Sequence, residues 1–187
     1  MIKKLIGTLA LGTLLAAGAN AATISLSGPN EIDVGLGFEL TVGGSGFGTG
    51  LGAGGIVVKF DPGLVQLDLV TLGALPGLDA GFSCPGGANC PDLGPGTALI
   101  LWGTFGANLL PTGEDALMAT LAFTAIGPGS ATFTINSFDD AGGWLDPTFG
   151  SLATPDFVDA KVNVVPLPAA VWFMVGGLAS LMGFRRK

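Results

Sequence analysis

Leu117-Met-Ala-Thr-Leu-Ala-Phe-Thr-Ala125, the turn Gly127-Pro-Gly129, and Ala131-Thr-Phe-Thr-Ile135 form the stretch on which the reading of the fold turns. Leu117, Ala119, Leu121, Phe123 and Ala125 recur at every second position, as do Ala131, Phe133 and Ile135 against Thr132 and Thr134. A period of two puts alternate side chains on opposite faces of an extended chain, so each run has one face to bury. Gly-Pro-Gly continues neither strand nor helix and marks a turn.

Working outward, the same alternation appears in Ala22, Ile24 and Leu26, and in Phe38, Leu40 and Val42. It returns in Ile56, Val58 and Phe60, and again in Val158, Ala160, Val162 and Val164. Residues 31–34, 64–72 and 98–102 are further candidates, while long helical periodicity is missing. About nine short strands separated by Gly, Pro, Asn and Asp breaks predict an all-β fold, an antiparallel β-sandwich over residues 22–164. A parallel α/β fold would need intervening helices.

The composition fits many turns between short apolar segments. Of 187 residues, 33 are Gly and 12 are Pro, yet 49% are hydrophobic, too many for a disordered polymer. Eight of the thirteen residues in 43–55 are Gly, which predicts a flexible loop or a turn built on positive φ angles. Phosphate cradling does not fit there, because no Gly-Lys-Ser/Thr follows and the surroundings are acidic.

There is no His in the chain, so Ser-His-Asp and Cys-His catalysis, imidazole zinc sites and a His general base are excluded. The net charge of −7 conceals an asymmetry. Five of the seven basic residues are Lys3, Lys4, Arg185, Arg186 and Lys187, whereas all fourteen acids lie between Glu31 and Asp159. The body carries only Lys59 and Lys161 against those fourteen acids, a net −12. Nucleic acid is therefore not an expected partner, since phosphate binding needs clustered Lys and Arg.

Both ends read as addresses. Lys3 and Lys4, an apolar run over 5–17 and the small-x-small triplet Ala19-Asn20-Ala21 match a secretory signal, with cleavage before Ala22. Residues 166–184 carry no charge and are followed by Arg185-Arg186-Lys187. As a helix such a stretch spans about 28 Å, close to the hydrocarbon core of a bilayer. Trp172 suits the interfacial belt, and the basic triplet is expected to stay cytoplasmic, leaving the body outside. The expected organisation is a signal helix over 1–21, the sandwich over 22–164, and a transmembrane helix within 165–187.

Val165-Pro166-Leu167-Pro168-Ala169, followed by the apolar helix and the basic tail, resembles the VPLPA variant of the PEP-CTERM sorting domain. That resemblance implies a precursor held in the inner membrane of a Gram-negative bacterium and processed by an exosortase, a membrane transpeptidase. The chain would be the sorted substrate and not the enzyme. The body resembles a cohesin-type domain, a jelly-roll sandwich with carbohydrate-binding-module relatives. Gly37-Phe-Glu-Leu-Thr-Val42, Ile56-Val-Val-Lys-Phe-Asp-Pro62, Leu64-Val-Gln-Leu67, Leu121-Ala-Phe-Thr-Ala125 and Ala131-Thr-Phe-Thr-Ile135 carry it. It implies adhesion or scaffolding, with polysaccharide or a matrix protein as partner. The alternative is a carbohydrate-binding or dockerin-recruiting module of a polysaccharide-degrading system.

Four groups of residues could carry chemistry. Cys84 and Cys90 in an exported chain are expected to form a disulfide across a short loop. Asp139, Asp140 and Asp146 share a turn-rich loop where hard oxygen ligands for calcium could converge. Their spacing matches no standard calcium motif, and solvated loop acids are the simpler reading, with no cofactor. Trp102 follows an apolar run and is expected in the core, whereas Trp144 lies in a loop and is the candidate for stacking on a sugar. Two of fourteen carboxylates would suffice for a glycosidase, but every acidic protein meets that condition.

Overall fold

The computed structural model describes residues 22–75, 80–84, 94–103, 115–138 and 143–167. They form eleven strands: β1 (Thr23–Ser27), β2 (Glu31–Asp33), β3 (Gly37–Ser45), β4 (Ala53–Lys59), β5 (Val65–Leu72), β6 (Ala80–Cys84), β7 (Thr97–Gly103), β8 (Ala116–Ala125), β9 (Gly129–Ser137), β10 (Asp156–Val158) and β11 (Ala160–Val165). One sheet has five strands in the order β10-β1-β3-β8-β5, the other six in the order β2-β11-β9-β4-β7-β6. The β-sandwich expected from the alternation is present, with eleven strands in place of about nine.

One additional strand is β6, which the alternation did not mark; the other comes from the break of the last run into β10 and β11, at a corner where two chain segments change sheets together. β1 and β10 run parallel in the five-stranded sheet, and their continuations β2 and β11 run parallel in the six-stranded sheet. Every other pairing is antiparallel. Asp159 is the one residue between β10 and β11, and its Oδ1 accepts a hydrogen bond from the Ile135 amide at 2.9 Å. Changing sheets resets the face that each residue presents. Val158, expected inward, is 49% exposed, and Phe157 packs against the core in its place.

A bulge produces the same inversion in β8. Val42 pairs with Ala119 but Gly43 pairs with Leu117, so Met118 is an extra residue with no partner on β3. Met118 is fully buried and Leu117 is 51% exposed. The run that opened the reading of the sequence therefore alternates as expected only from Ala119 onward. A second bulge in β5 falls at Asp68, whose carboxylate accepts from Thr124 Oγ1 at 2.6 Å and Gln66 Nε2 at 3.1 Å.

The core lies between the sheets. Ile24, Leu40, Val42, Leu121 and Phe123 of one sheet face Ile56, Val58, Ile100, Phe133 and Val162 of the other. Phe123 is its aromatic centre: it stacks on Phe38 at 5.5 Å and meets Phe133 and Phe60 edge-on at 5.0 and 5.1 Å. Pairs of this kind contribute about 0.5–1.5 kcal/mol each beyond their buried area.

The glycine-rich stretch 43–55 is not one loop. Gly43 and Gly44 belong to β3, Gly54 and Gly55 to β4, and the connection between these strands spans only residues 46–52. Gly54 is required by close packing: a Cβ there would collide with the indole of Trp144.

Candidate functional site

Outward positions of the six-stranded sheet follow from its register. Val57 of β4 lies opposite Leu99 of β7 and Asn136 of β9, and Lys59 lies opposite Thr97 and Thr134. Lys161 of β11 lies opposite Thr132 of β9. Val57 and Leu99 form a small apolar centre on this outer face, packed with the half-buried Leu101 and Phe138. β4 is thus buried on both faces, which is why its sequence reads as a continuous apolar run, Gly-Gly-Ile-Val-Val.

Around that centre the face is polar: Thr132, Asn136, Lys59 and Lys161 are all exposed. Both lysines of the body therefore stand on one face, although fourteen acids are distributed over the same span of chain. An apolar centre ringed by hydroxyl, amide and charged groups has the anatomy of a protein-recognition surface. The same face also carries Glu31 and Asp33 of β2, paired with Asn163 and Val165 of β11, so it offers hydrogen bonds and charges of both signs.

Trp144 is not the exposed platform expected from its place in a loop. It is 2% exposed, its ring lies against Phe47 and Phe157 with centroids 6.3 Å away in each case, and Nε1 donates to Ser137 Oγ at 2.9 Å. Indole burial outweighs loop position, because the glycines of β4 open a slot that only a flat ring fills. Trp102 is in the core as expected, at 3% exposure, with Nε1 donating to the Met118 carbonyl at 3.2 Å.

Asp146 has a local task. Its Oδ1 accepts from the Thr148 amide and hydroxyl, both at 2.7 Å, and from the Gly150 amide at 2.8 Å. The Thr148 hydroxyl and then the Gly150 amide hold this carboxyl below its ordinary range. The turn it organises keeps Phe149 at φ +65° and 62% exposed, a conformation that bulky residues rarely adopt. Asp139 and Asp140 lie outside the described residues, as does Cys90; Cys84 is the last residue of β6. No group of three or more metal-ligating side chains occurs among the described residues.

At the ends, Ala22 packs against the core and its carbonyl accepts from the Asp156 amide. Ala19 and Ala21 lie outside the described residues. Val165 closes β11, Pro166 and Leu167 are exposed, and Pro168, Ala169, Trp172, Arg185, Arg186 and Lys187 lie outside the described residues.

No family model matches the chain. No curated protein matches it either. Solved structures do. The seventh ScaB type I cohesin from Pseudobacteroides cellulosolvens matches with TM-score 0.60 and 12% identity, over 79% of this chain and 94% of that one. A cohesin–dockerin complex from Clostridium thermocellum contains a chain matching with TM-score 0.57 and 11% identity, over 79% and 95%. A non-cellulosomal cohesin from the archaeon Archaeoglobus fulgidus gives 0.55 and 13%, over 78% and 91%. With the two sheets, their parallel corner and the interlocked core already in hand, these likenesses establish the fold: the described body is a cohesin-like β-sandwich.

Proposed function

We propose that the chain is a non-enzymatic module of the bacterial cell surface or extracellular matrix, built for adhesion or scaffolding. The outer face of the six-stranded sheet takes a protein partner, with carboxylates of that partner opposite Lys59 and Lys161. The observation that carries this reading is the gathering of both body lysines around the Val57–Leu99 centre of an otherwise acidic body. Opposite-sign patches raise association rates and suppress wrong partners more than they add affinity.

Residues 1–21 direct export, and residues 165–187 hold the precursor in the inner membrane for an exosortase. Supporting this part are the order of motif, apolar stretch and basic tail, and the end of β11 at Val165, where the motif begins. Recruitment of dockerin-bearing enzymes is the second reading, favoured by the likeness to a cohesin from a cohesin–dockerin complex.

Intact-mass analysis of the endogenous protein tests the sorting. A start at Ala22 and a new C-terminus close to Pro168 are expected, and an unprocessed Lys187 on the exported protein would overturn it. The face is tested by pull-down with the Lys59→Glu/Lys161→Glu double variant. Loss of a partner retained by the unaltered chain is expected, and unchanged capture would overturn the assignment. A dockerin as that partner would select recruitment over matrix adhesion.

A further inference from the structure

One end of the sandwich gathers the loops that precede β3, β5 and β9 and the point where the chain leaves β11. Their backbones are tied together. The Gly35 amide donates to the Ala125 carbonyl at 2.7 Å, and the Ala125 amide to the Leu36 carbonyl at 3.0 Å. The Ile126 amide donates to the Leu64 carbonyl at 2.8 Å, and the Val34 amide to the Val165 carbonyl at 2.9 Å. Three large apolar side chains are exposed at this end: Leu36 at 50%, Ile126 at 46% and Leu167 at 38%. Pro62, Pro128 and Pro166 are exposed beside them in sequence.

Charge is sparse here. Across 33–37, 60–64, 125–129 and 165–167 the only charged residues are Asp33 and Asp61. Asp33 is half-buried, and Asp61 Oδ1 accepts from the Gly63 amide at 2.8 Å. With no Lys or Arg in these loops, charge attraction to anionic headgroups is not available, and apolar contact is what this end offers.

The path of the chain says what lies against it. Thr23 pairs with Ser45 at the end of β3, so the chain enters the sandwich at the opposite end. It leaves at Val165, and the uncharged stretch 166–184 starts at the next residue. Crossing the hydrocarbon core takes nearly the whole of that stretch, which leaves no spacer. Pro166 and Leu167, fully extended, reach at most about 7 Å. A headgroup layer is roughly 5–8 Å thick, so this end cannot stand clear of it. Three partly exposed side chains would not hold an untethered protein on a membrane; the tether supplies the effective concentration that makes so small a surface sufficient.

We infer that this end of the sandwich, through Leu36, Ile126 and Leu167, is seated in the headgroup layer of a zwitterionic phospholipid surface while the tail is intact. The strands then stand upright on the membrane, with the outer faces of both sheets open to solvent. The inference rests on the reading of residues 166–184 as a membrane span, which by itself says nothing of how the body meets lipid.

The test uses residues 22–187 reconstituted into phosphatidylcholine vesicles with brominated acyl chains, which quench indole fluorescence at short range. Trp172 of the unaltered chain reports on the span. In a Trp172→Phe background the remaining indoles, Trp102 and Trp144, are buried in the core. One new indole is then introduced by Leu36→Trp, Ile126→Trp, Leu69→Trp or Phe149→Trp. Leu69 lies midway along β5, and Phe149 lies in the turn beside the start of β4, at the far end. Emission from Leu36→Trp and Ile126→Trp should shift to the blue and fall about twofold against unbrominated vesicles, as expected of residues seated in the interface. Leu69→Trp and Phe149→Trp should be unchanged. If one of the first two substitutions disturbs its loop, the other still decides. Quenched Trp172 with both of those indoles unquenched would overturn the inference and leave the span standing. Unquenched Trp172 in a chain that carbonate washes from the vesicles would overturn both. Equal quenching of all four new indoles would lay the sandwich on its side and overturn the end-on seating.

Discussion

Trp144→Ala should destabilise the sandwich by about 3–5 kcal/mol, the usual cost of deleting a buried large aromatic. The magnitude follows from what the indole covers. At 2% exposure it withdraws nearly its whole side chain from water, and an aromatic of this class buries roughly 150–250 Å². At about 25 cal/mol per Å² that area alone is worth about 4–6 kcal/mol, before any collapse of the site recovers part of it. Phe47 and Phe157 would lose a ring partner, and Gly54 would face an empty slot. Urea unfolding of a fragment spanning residues 22–167, followed by far-UV circular dichroism, measures the change directly. In a thermal scan of the same fragment the Tm should fall by about 10 °C, given a few degrees per kcal/mol for a domain of this size. Trp144→Phe should recover most of the loss while remaining about 1 kcal/mol short, because the bond to Ser137 Oγ is gone. A change within about 0.5 kcal/mol for Trp144→Ala would place the ring on the surface and refute the packing argument.

Met118→Ala should cost about 2–5 kcal/mol and Leu117→Ser less than about 0.5 kcal/mol in the same unfolding assay. The reverse order would mean that β8 alternates without its bulge. Gly54→Ala should be severely destabilising, because the Cβ meets the Trp144 ring. Gly48→Ala, with open space around it and no positive φ, should be neutral or stabilising by up to about 1 kcal/mol; equal effects at the two positions would contradict the slot. Asp146→Ala should release the amides of Thr148 and Gly150, read as faster hydrogen exchange confined to that turn. The folded carboxyl titrates below its unfolded value, so its contribution is complete above the ordinary carboxylate range and is lost as the pH falls through the lowered value. Loosening of the turn between pH 5 and 7 would contradict that sign.

Much of the sandwich was legible because burial on one face writes itself into the sequence with period two. Ile24 and Leu26, Phe38 to Val42, Leu121 to Ala125 and Ala131 to Ile135 are all inward as the alternation demands. The departures have a common cause: parity counts residues, and one inserted residue shifts every position beyond it. Met118 does this within β8, and Asp159 does it between β10 and β11 by carrying the chain from one sheet to the other. Glycine misled for a different reason. A Gly-rich run reads locally as a flexible connection, yet Gly54 is selected by the Trp144 ring lying on it, a partner 90 residues away in sequence that local reading cannot supply.

The same physics separates what was legible on the outer faces from what was not. Lys59 and Lys161 alternate outward on strands visible in the sequence, and only the pairing of β4 with β9 and β9 with β11 was needed to bring them to one face. The outer face of the opposite sheet depends on the two parity breaks themselves. Were β8 regular at Met118, Leu117 would turn inward and Met118 outward, and without the sheet change at Asp159 Val158 would exchange faces with Phe157. Each irregularity exchanges one large apolar side chain for another, Met118 buried with Leu117 exposed and Phe157 packed with Val158 exposed, so neither leaves the core short of an apolar group.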